Sequence, residues 1–184
     1  MSETAESEKR GIKFSEDKTV LLKYDSDLPD ESYIIPNGIL KIADNAFSAC
    51  LNLKKVKIPD GVISIGENAF SCCINLSRIS IPHSVKQIGN CAFSGCIKLK
   101  RVRIPEKLTA VGKCVFAHTG LISADIPDGV ISIGDYAYAY CKNLRSVKIA
   151  GTVKSVGTGS FDEGGLFLNL HLEEYYPKFF KKKK

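Results

Sequence analysis

The residues that could support catalysis are few and scattered along the chain. Three histidines, His83, His118 and His171, occupy unrelated positions in the sequence pattern, so we do not expect them to meet around a substrate. The segment Gly157–Ser160 is rich in glycine but matches neither a phosphate-binding loop nor a dinucleotide-binding motif. The carboxylate pair Glu173-Glu174 has no partner group for general acid–base chemistry. The sequence therefore predicts a non-enzymatic protein without a cofactor.

The seven cysteines do not form a recognisable metal site, because no CxxC motif and no Cys/His pair has zinc-binding spacing. Four of them share one position of the sequence repeat described below: Cys50, Cys73, Cys96 and Cys141. The equivalent position holds Thr119 and Gly164 in two other copies, which indicates a requirement for a small side chain. We expect reduced, structural thiols, with disulfide pairing and metal binding as alternatives.

A repeat of 23 residues organises most of the chain, with one step of 22. In each copy an apolar doublet such as Ile58-Pro59 is followed, eleven or twelve residues later, by an aromatic ring. The six rings are Phe47, Phe70, Phe93, Phe116, Tyr138 and Phe161. A fixed period of this size is typical of a solenoid, in which each unit packs on its neighbours. We expect the rings to form a buried column.

Each copy predicts the same local structure. Around Val56 and Ile58, apolar residues alternate with lysines, which is the pattern of a short, half-buried strand. Pro59 ends the strand, and Gly66 marks a backbone position that does not accommodate a Cβ atom. Residues 69–73 carry apolar side chains at helical spacing, so one helical turn is expected there.

The pattern LxxVxIPxxVxxIGxxAFxxC resembles the leucine-rich repeat of the BspA-like family, which occurs in surface antigens of oral bacteria, treponemes and protozoan parasites. The resemblance covers residues 33–161, with mild departures at Ala43, Thr119 and Ala150. It implies a right-handed, curved leucine-rich repeat solenoid of short strands and short helical turns, capped at both ends. The LxxVxI strands would line its concave face. The family role is adhesion to host proteins or cells, which implies a location at the cell surface.

Five segments follow from the repeat and its flanks. The polar residues 1–10 are expected to be disordered, and residues 11–32 to form an N-terminal cap, in which Val20, Leu21 and Leu22 could form a strand. The six leucine-rich repeats occupy residues 33–161. Residues 162–177 would form a C-terminal cap, followed by a basic tail at 178–184.

Basic residues gather at the strand positions that the packing leaves free. The predicted partner-binding residues are Lys55, Lys57, Arg78, Arg101, Arg103 and Lys148. Rungs of such a stack lie about 4.8 Å apart, so Lys55, Arg78 and Arg101 would form a column of like charges. The column could bind an acidic protein surface, a sulfated glycan or an anionic lipid headgroup, or it could simply be a solvated face. Without interleaved aromatic residues, it is a poor candidate for binding nucleic acid.

The C-terminal lysines account for most of the net charge. Lys178 and Lys181–Lys184 supply five of the positive charges that give the chain its formal +6. Lys181, Lys182, Lys183 and Lys184 could contact an anionic membrane surface, act as a nuclear address, flank a lost membrane segment, or form a solvated end. The N-terminus has no apolar signal region, so the protein stays inside the cell, leaves by an unconventional route or was cut from a longer precursor.

These observations predict a non-enzymatic recognition module that binds a protein through its concave face. The alternative is an intracellular, membrane-peripheral scaffold held by the lysine tail.

Overall fold

The computed structural model describes residues 3–162, which wind into a leucine-rich repeat solenoid of about six turns. A turn of the solenoid has three sides: a first short strand, which the fourth repeat lacks, a second short strand and a hydrogen-bonded turn segment. We call these sides the first strand face, the second strand face and the turn face. The apolar side chains of all three point into one continuous core.

The first strand face contains the LxxVxI strands that the sequence predicts. They are β3 (Ser32–Ile34), β5 (Lys55–Lys57), β7 (Arg78–Ser80), β10 (Ser123–Ile126) and β12 (Ser146–Ile149). The strands run parallel and in register, so that Lys55 lies opposite Arg78 and Asp125 lies opposite Lys148. Equivalent residues of successive repeats are therefore neighbours, as the period requires.

The second strand face, which the sequence did not predict as strands, consists mostly of two-residue strands. They are β2 (Val20–Lys23), β4 (Lys41–Ile42), β6 (Ser64–Ile65), β8 (Gln87–Ile88), β9 (Ala110–Val111), β11 (Ser132–Ile133) and β13 (Ser155–Val156). At the N-terminal end, β2 pairs with β4 through Leu21 and Ile42, as expected of a cap strand over the first repeat. Strand β1 (Lys13–Phe14) then pairs antiparallel with β2.

The turn face replaces the helical turn that the sequence predicts. Bonds between residues three apart, such as Ser71 N–H to Asn68 C=O at 3.0 Å, form successive tight turns. Two residues of each turn are left-handed, with φ of 53° at Asn68 and 58° at Cys72. A regular helix is right-handed throughout, so the helical-turn prediction is wrong in detail. The first of these positions holds Asn45, Asn68 and Gly159, whose residue types tolerate positive φ, but it also holds Cys91, Cys114 and Tyr136.

The aromatic column is confirmed and runs the length of the repeats. The rings of Phe47, Phe70, Phe93, Phe116, Tyr138 and Phe161 stack at centroid spacings from 4.8 to 5.6 Å. Tyr24 of the N-terminal segment extends the column by stacking 5.1 Å from Phe47. Burial of one such ring contributes roughly 1.5–3 kcal/mol, so the column is a principal source of stability.

Three of the four recurring thiols, Cys73, Cys96 and Cys141, link their repeat to the one before it. Cys73 Sγ donates to the carbonyl of Phe47 at 2.9 Å, and Cys96 Sγ donates to that of Phe70 at 3.1 Å. Burial raises the pKa of the Cys96 thiol to about 12 and also raises the pKa of Cys141. The small side chain expected at this position is thus also a hydrogen-bond donor to an otherwise buried carbonyl.

The glycine of each repeat lies against the backbone of the preceding repeat. A Cβ atom on Gly89 would sit 2.5 Å from the amide nitrogen of Glu67, and one on Gly157 would sit 2.5 Å from that of Asp135. At Gly112 the nearest backbone atom would be 3.5 Å away, with the Asn90 side chain at 2.9 Å. The third and fourth repeats are therefore farther apart at this position than their neighbours are.

Both strand faces are interrupted at that junction. Residues 101–103 form no strand, and within the described chain they make no backbone hydrogen bond to β7 or β10. On the second strand face, β8 and β9 belong to separate sheets. The turn face stays closed, since Phe93 N–H still donates to Val115 C=O at 2.9 Å. The solenoid is thus opened on its strand sides between the third and fourth repeats.

A single larger side chain coincides with the opening. Val115 is 1% exposed and precedes Phe116 at a position that carries alanine or serine in every other copy. The other residues at this position are Ala46, Ala69, Ala92, Ala137 and Ser160. The two methyl groups of Val115 take more space in the close-packed layer than the side chain of an alanine does. In the same place the Phe93–Phe116 centroid spacing, 5.6 Å, is the longest in the column.

The expectation of disorder at residues 1–10 differs from the structure, in which α1 (Glu3–Lys9) is a short helix. Polar contacts hold it rather than apolar burial: Tyr33 Oη donates to Ser7 Oγ at 3.1 Å, and Lys18 pairs with Glu8. The segment has no apolar periodicity, so the sequence pattern did not indicate a helix. Of the predicted C-terminal cap, residues 163–177 lie outside the described residues. The predicted basic tail at 178–184 lies outside them as well.

We predict that Gly89→Ala will destabilise the protein more than Gly112→Ala at the same repeat position. The first substitution forces a methyl group into the backbone of Gly66 and Glu67, at an expected cost of about 1–3 kcal/mol. The second meets side-chain atoms of Asn90 and Val115, while the nearest backbone atom is 3.5 Å away, so only side chains must adjust. Urea denaturation of both variants measures the difference, and equal losses would contradict a wider third junction.

We predict that Tyr138→Phe will stabilise the protein, by about 1 kcal/mol. The Tyr138 hydroxyl is fully buried in the aromatic column and has no hydrogen-bond partner among residues 3–162. Removing an unpaired buried hydroxyl removes its desolvation penalty. Thermal unfolding should show a midpoint higher by about 2–4 °C. A lower midpoint would show that the hydroxyl has a partner.

Candidate functional site

The predicted binding residues divide into three groups on the first strand face. Lys55, Lys57 and Arg78 are exposed on the paired strands β5 and β7. Arg101 and Arg103 belong to the unpaired segment 101–103. Lys148 lies on β12, opposite Asp125 of β10. The basic column is therefore not one uniform ladder, because its middle rung is detached from both neighbours.

A recess on the N-terminal side of the opening is lined by cations. Arg78, Lys98, Lys100 and Arg101 surround it, together with Ser77 and Ser80, and it encloses about 1040 Å³. Its apolar part is formed by Val56, Ile79 and Ile122, and no acidic side chain of the described chain lines it. We call this the basic recess. It combines a positive rim with an apolar floor.

The floor of the basic recess exists because the repeats separate. Val56 lies between two paired neighbours and is 4% exposed, whereas Ile79 and Val102, the equivalent residues at the opening, are half-buried. Ile79 lacks a strand partner on one side and Val102 on both, which leaves part of each of these core side chains accessible. An opening in the strand ladder has thus brought core residues to the surface of a charged face.

A second recess on the C-terminal side has mixed charge. It encloses about 680 Å³, and its cations Arg101, Arg103 and Lys148 are matched by three carboxylates. The carboxylates belong to Glu106, Asp125 and Asp128. Arg103 Nη2 pairs with Glu106 Oε1 at 2.8 Å, and both side chains are largely exposed. We call this the mixed recess, and its charges offset one another.

The structure brings some of the predicted residues together and separates others. Arg78 and Arg101 share the basic recess, whereas Arg103 and Lys148 line the mixed recess. Lys55 and Lys57 line neither of these two recesses, although Lys55 is the strand partner of Arg78. Sequence reasoning missed Lys98 as a member of the site. It lies in the loop before Leu99, outside the strand alternation that identified the other cations.

Two of the arginines are free to bind a ligand. Within the described chain neither Arg78 nor Arg101 forms a salt bridge, while Arg103 pairs with Glu106 and Lys54 pairs with Glu31. Lys98 Nζ donates to Asn75 Oδ1 at 2.6 Å, which keeps its charge and leaves two further donor hydrogens. A planar guanidinium without a partner can bind a carboxylate through two parallel hydrogen bonds.

The residues considered for catalysis are dispersed in the fold. His83 lies in the turn after Pro82, and His118 stacks on Tyr140 with ring centroids 4.4 Å apart. His171 and Glu173-Glu174 lie outside the described residues. Between residues 3 and 162, no cluster of His, Cys, Asp and Glu side chains has the arrangement of a metal site.

The membrane predictions rest on residues beyond the described range. Lys181, Lys182, Lys183 and Lys184 lie outside it. Of the described helices, none has the length and apolar composition needed to cross a membrane.

Comparisons with known proteins identify the repeat. A family model described as "BspA type Leucine rich repeat region" matches six copies, over residues 26–121 and 64–174. A search of curated proteins finds no match.

Several solved structures share the fold. A leucine-rich repeat protein from Bacteroides ovatus is 32% identical, with a TM-score of 0.72, over 83% of this chain and 43% of that one. A leucine rich cell surface protein from Faecalibacterium prausnitzii is 30% identical over 84% of this chain and 45% of that one, with a TM-score of 0.71. The leucine-rich repeat protein of Treponema pallidum, 23% identical with a TM-score of 0.73, covers 94% of both chains and shows the fold alone.

This chain spans less than half of the Bacteroides and Faecalibacterium proteins. The matched repeats nevertheless extend over most of its own length, and they coincide with the turns of the solenoid. The chain belongs to the family of BspA-type leucine-rich repeat proteins.

Proposed function

We propose that this protein is a non-enzymatic recognition module that binds a protein partner on its first strand face and acts in adhesion at the cell surface. The observation that carries the proposal is the basic recess, where Arg78 and Arg101 lie unpaired beside an apolar floor. A charged rim around accessible apolar side chains is typical of protein-binding sites. Membership of a leucine-rich repeat family supports protein binding in general.

The proposal predicts that reversing the charge of Arg78 and Arg101 together will abolish capture of the partner. Surface proteins of the cells to which the organism attaches would be biotinylated and passed over the immobilised protein. Arg78→Glu/Arg101→Glu should reduce the retained protein at least tenfold, because a repelled carboxylate costs more than a lost ion pair. Lys86→Glu is the control, since Lys86 is exposed next to β8 and lines neither recess. Unchanged capture by the double variant would contradict this site.

Location is the second testable part of the proposal. The Faecalibacterium protein is described as a cell surface protein, and the same location is proposed for this chain. Labelling of intact cells with a membrane-impermeant reagent should modify the protein's exposed lysines. Protein that is labelled only after lysis would contradict adhesion and favour the intracellular scaffold held by Lys181–Lys184.

A further inference from the structure

We propose that the basic recess binds an extended acidic peptide segment of the partner that carries an apolar side chain between its carboxylates. The inference rests on the proposed function, because it names the part of a protein partner that the site would take. The carboxylates would bind Arg78 and Arg101, and the apolar side chain would lie on the floor of Val56, Ile79 and Ile122.

The charge of the recess selects an anion. Its lining carries four cations and, within the described chain, no carboxylate. Lys55, the strand partner of Arg78, adds to the positive potential from the next rung. Like charges this close repel one another, and an anionic ligand relieves the repulsion when it binds. Arginine rather than lysine at the two unpaired positions favours planar, bidentate binding of a carboxylate.

The floor of the recess distinguishes a peptide from a sulfated glycan. Ile79 and Ile122 are half-buried, and they offer apolar surface that a sulfated sugar, with charged and hydroxyl groups on most of its atoms, would leave unfilled. A leucine-sized side chain would cover that surface and gain the free energy of apolar burial. The apolar floor therefore favours a protein segment over a glycan of equal charge.

The backbone beside the recess favours an extended ligand. Within the described chain, residues 101–103 make no backbone hydrogen bonds, and the segment borders the recess through Arg101. Arg101 and Arg103 are exposed and Val102 between them is half-buried, which is the side-chain alternation of an extended chain. A peptide in extended conformation presents complementary groups at the same period, as in other sites where a peptide binds beside a strand.

The mixed recess sets the direction in which the acidic segment can continue. The three carboxylates on the C-terminal side of Arg101 offset the three cations there, so the mixed recess gives further ligand carboxylates no net attraction. Acidic residues of the ligand are therefore favoured on the side of Arg78 and Lys98, where no carboxylate of the described chain lines the recess. A basic ligand residue would be tolerated toward Asp125. We expect the ligand to be acidic around its apolar residue and neutral or basic toward β10.

The test is selection of a phage-displayed library of random dodecapeptides on the intact protein, with counter-selection on Arg78→Gln/Arg101→Gln. Both arginines are exposed on the surface, so this double variant should keep the fold, which thermal unfolding verifies. Enriched peptides should contain two or more acidic residues around a leucine, isoleucine, methionine or phenylalanine. Failure to enrich such peptides over the double variant would overturn the inference.

Fluorescence anisotropy with one selected peptide tests the contribution of its apolar side chain separately from that of its carboxylates. Replacing the apolar residue of the peptide with alanine should weaken its binding at least tenfold. In the Ile122→Ser protein, the original and the alanine peptide should bind with nearly the same affinity. The control variant Lys86→Gln should bind both peptides as the unmodified protein does. Should Ile122→Ser fail to fold, the alanine peptide alone decides the point. Equal binding of the two peptides, or a heparin fragment that binds more tightly than either, would overturn the peptide assignment.

Partner capture in the presence of a selected peptide distinguishes a failure of this inference from a failure of the proposed function. Partner capture that depends on Arg78 and Arg101 but is not competed by the selected peptide would overturn the acidic-peptide inference and leave the protein-binding site intact. Capture that ignores both arginines would overturn both.

Discussion

Close contact between the turn faces of successive repeats is the constraint on which the rest of the solenoid depends. Each turn segment donates its backbone N–H groups to the next repeat and buries one ring of the aromatic column, and this continues without a break from Phe47 to Tyr138. The residues that carry the rings also form these hydrogen bonds through their backbone N–H groups. A displacement of one turn would therefore disturb both the ring stacking and the hydrogen bonds. The strands also pair and bury core side chains, but at the junction of the third and fourth repeats their pairing is absent while the hydrogen bonds of the turn face remain.

Because the turn face stays continuous, the strand faces can open at one junction without loss of the fold. At the junction of the third and fourth repeats the turn face is continuous, while β7 has no strand partner toward segment 101–103 and β8 none toward β9. Val115 adds volume in the buried layer beside the aromatic column, and the repeats diverge away from it. The cost is a few unformed strand hydrogen bonds, each worth about 1 kcal/mol, while the stacked core is retained.

The sequence predicts most of the repeated features, but it misses the turn geometry and the second strands, which also repeat, and the opening, which occurs in one place. The period, the first strands, the aromatic column and the small side chain at Cys73 all follow from residues present in nearly every repeat. The left-handed turns were missed because Asn68 and Cys72 do not interrupt the apolar pattern that suggested a helix. The opening coincides with Val115 in place of an alanine, a conservative apolar change that does not alter the repeat pattern.

The candidate site likewise combines repeated positions, which the sequence predicts, with a local opening, which it does not. From the sequence, the basic residues form one column of equivalent rungs, because strict periodicity makes every rung alike. The broken pairing at Arg101 instead places Arg78 and Arg101 around accessible core residues, and it groups Arg103 and Lys148 with carboxylates. Lysine or arginine on an evenly paired strand would give only a charged surface, screened by salt. Combined with an apolar floor, the same charges can distinguish one acidic segment from another by the side chain between the carboxylates. The recognition site that we propose for this solenoid therefore lies where its regularity fails.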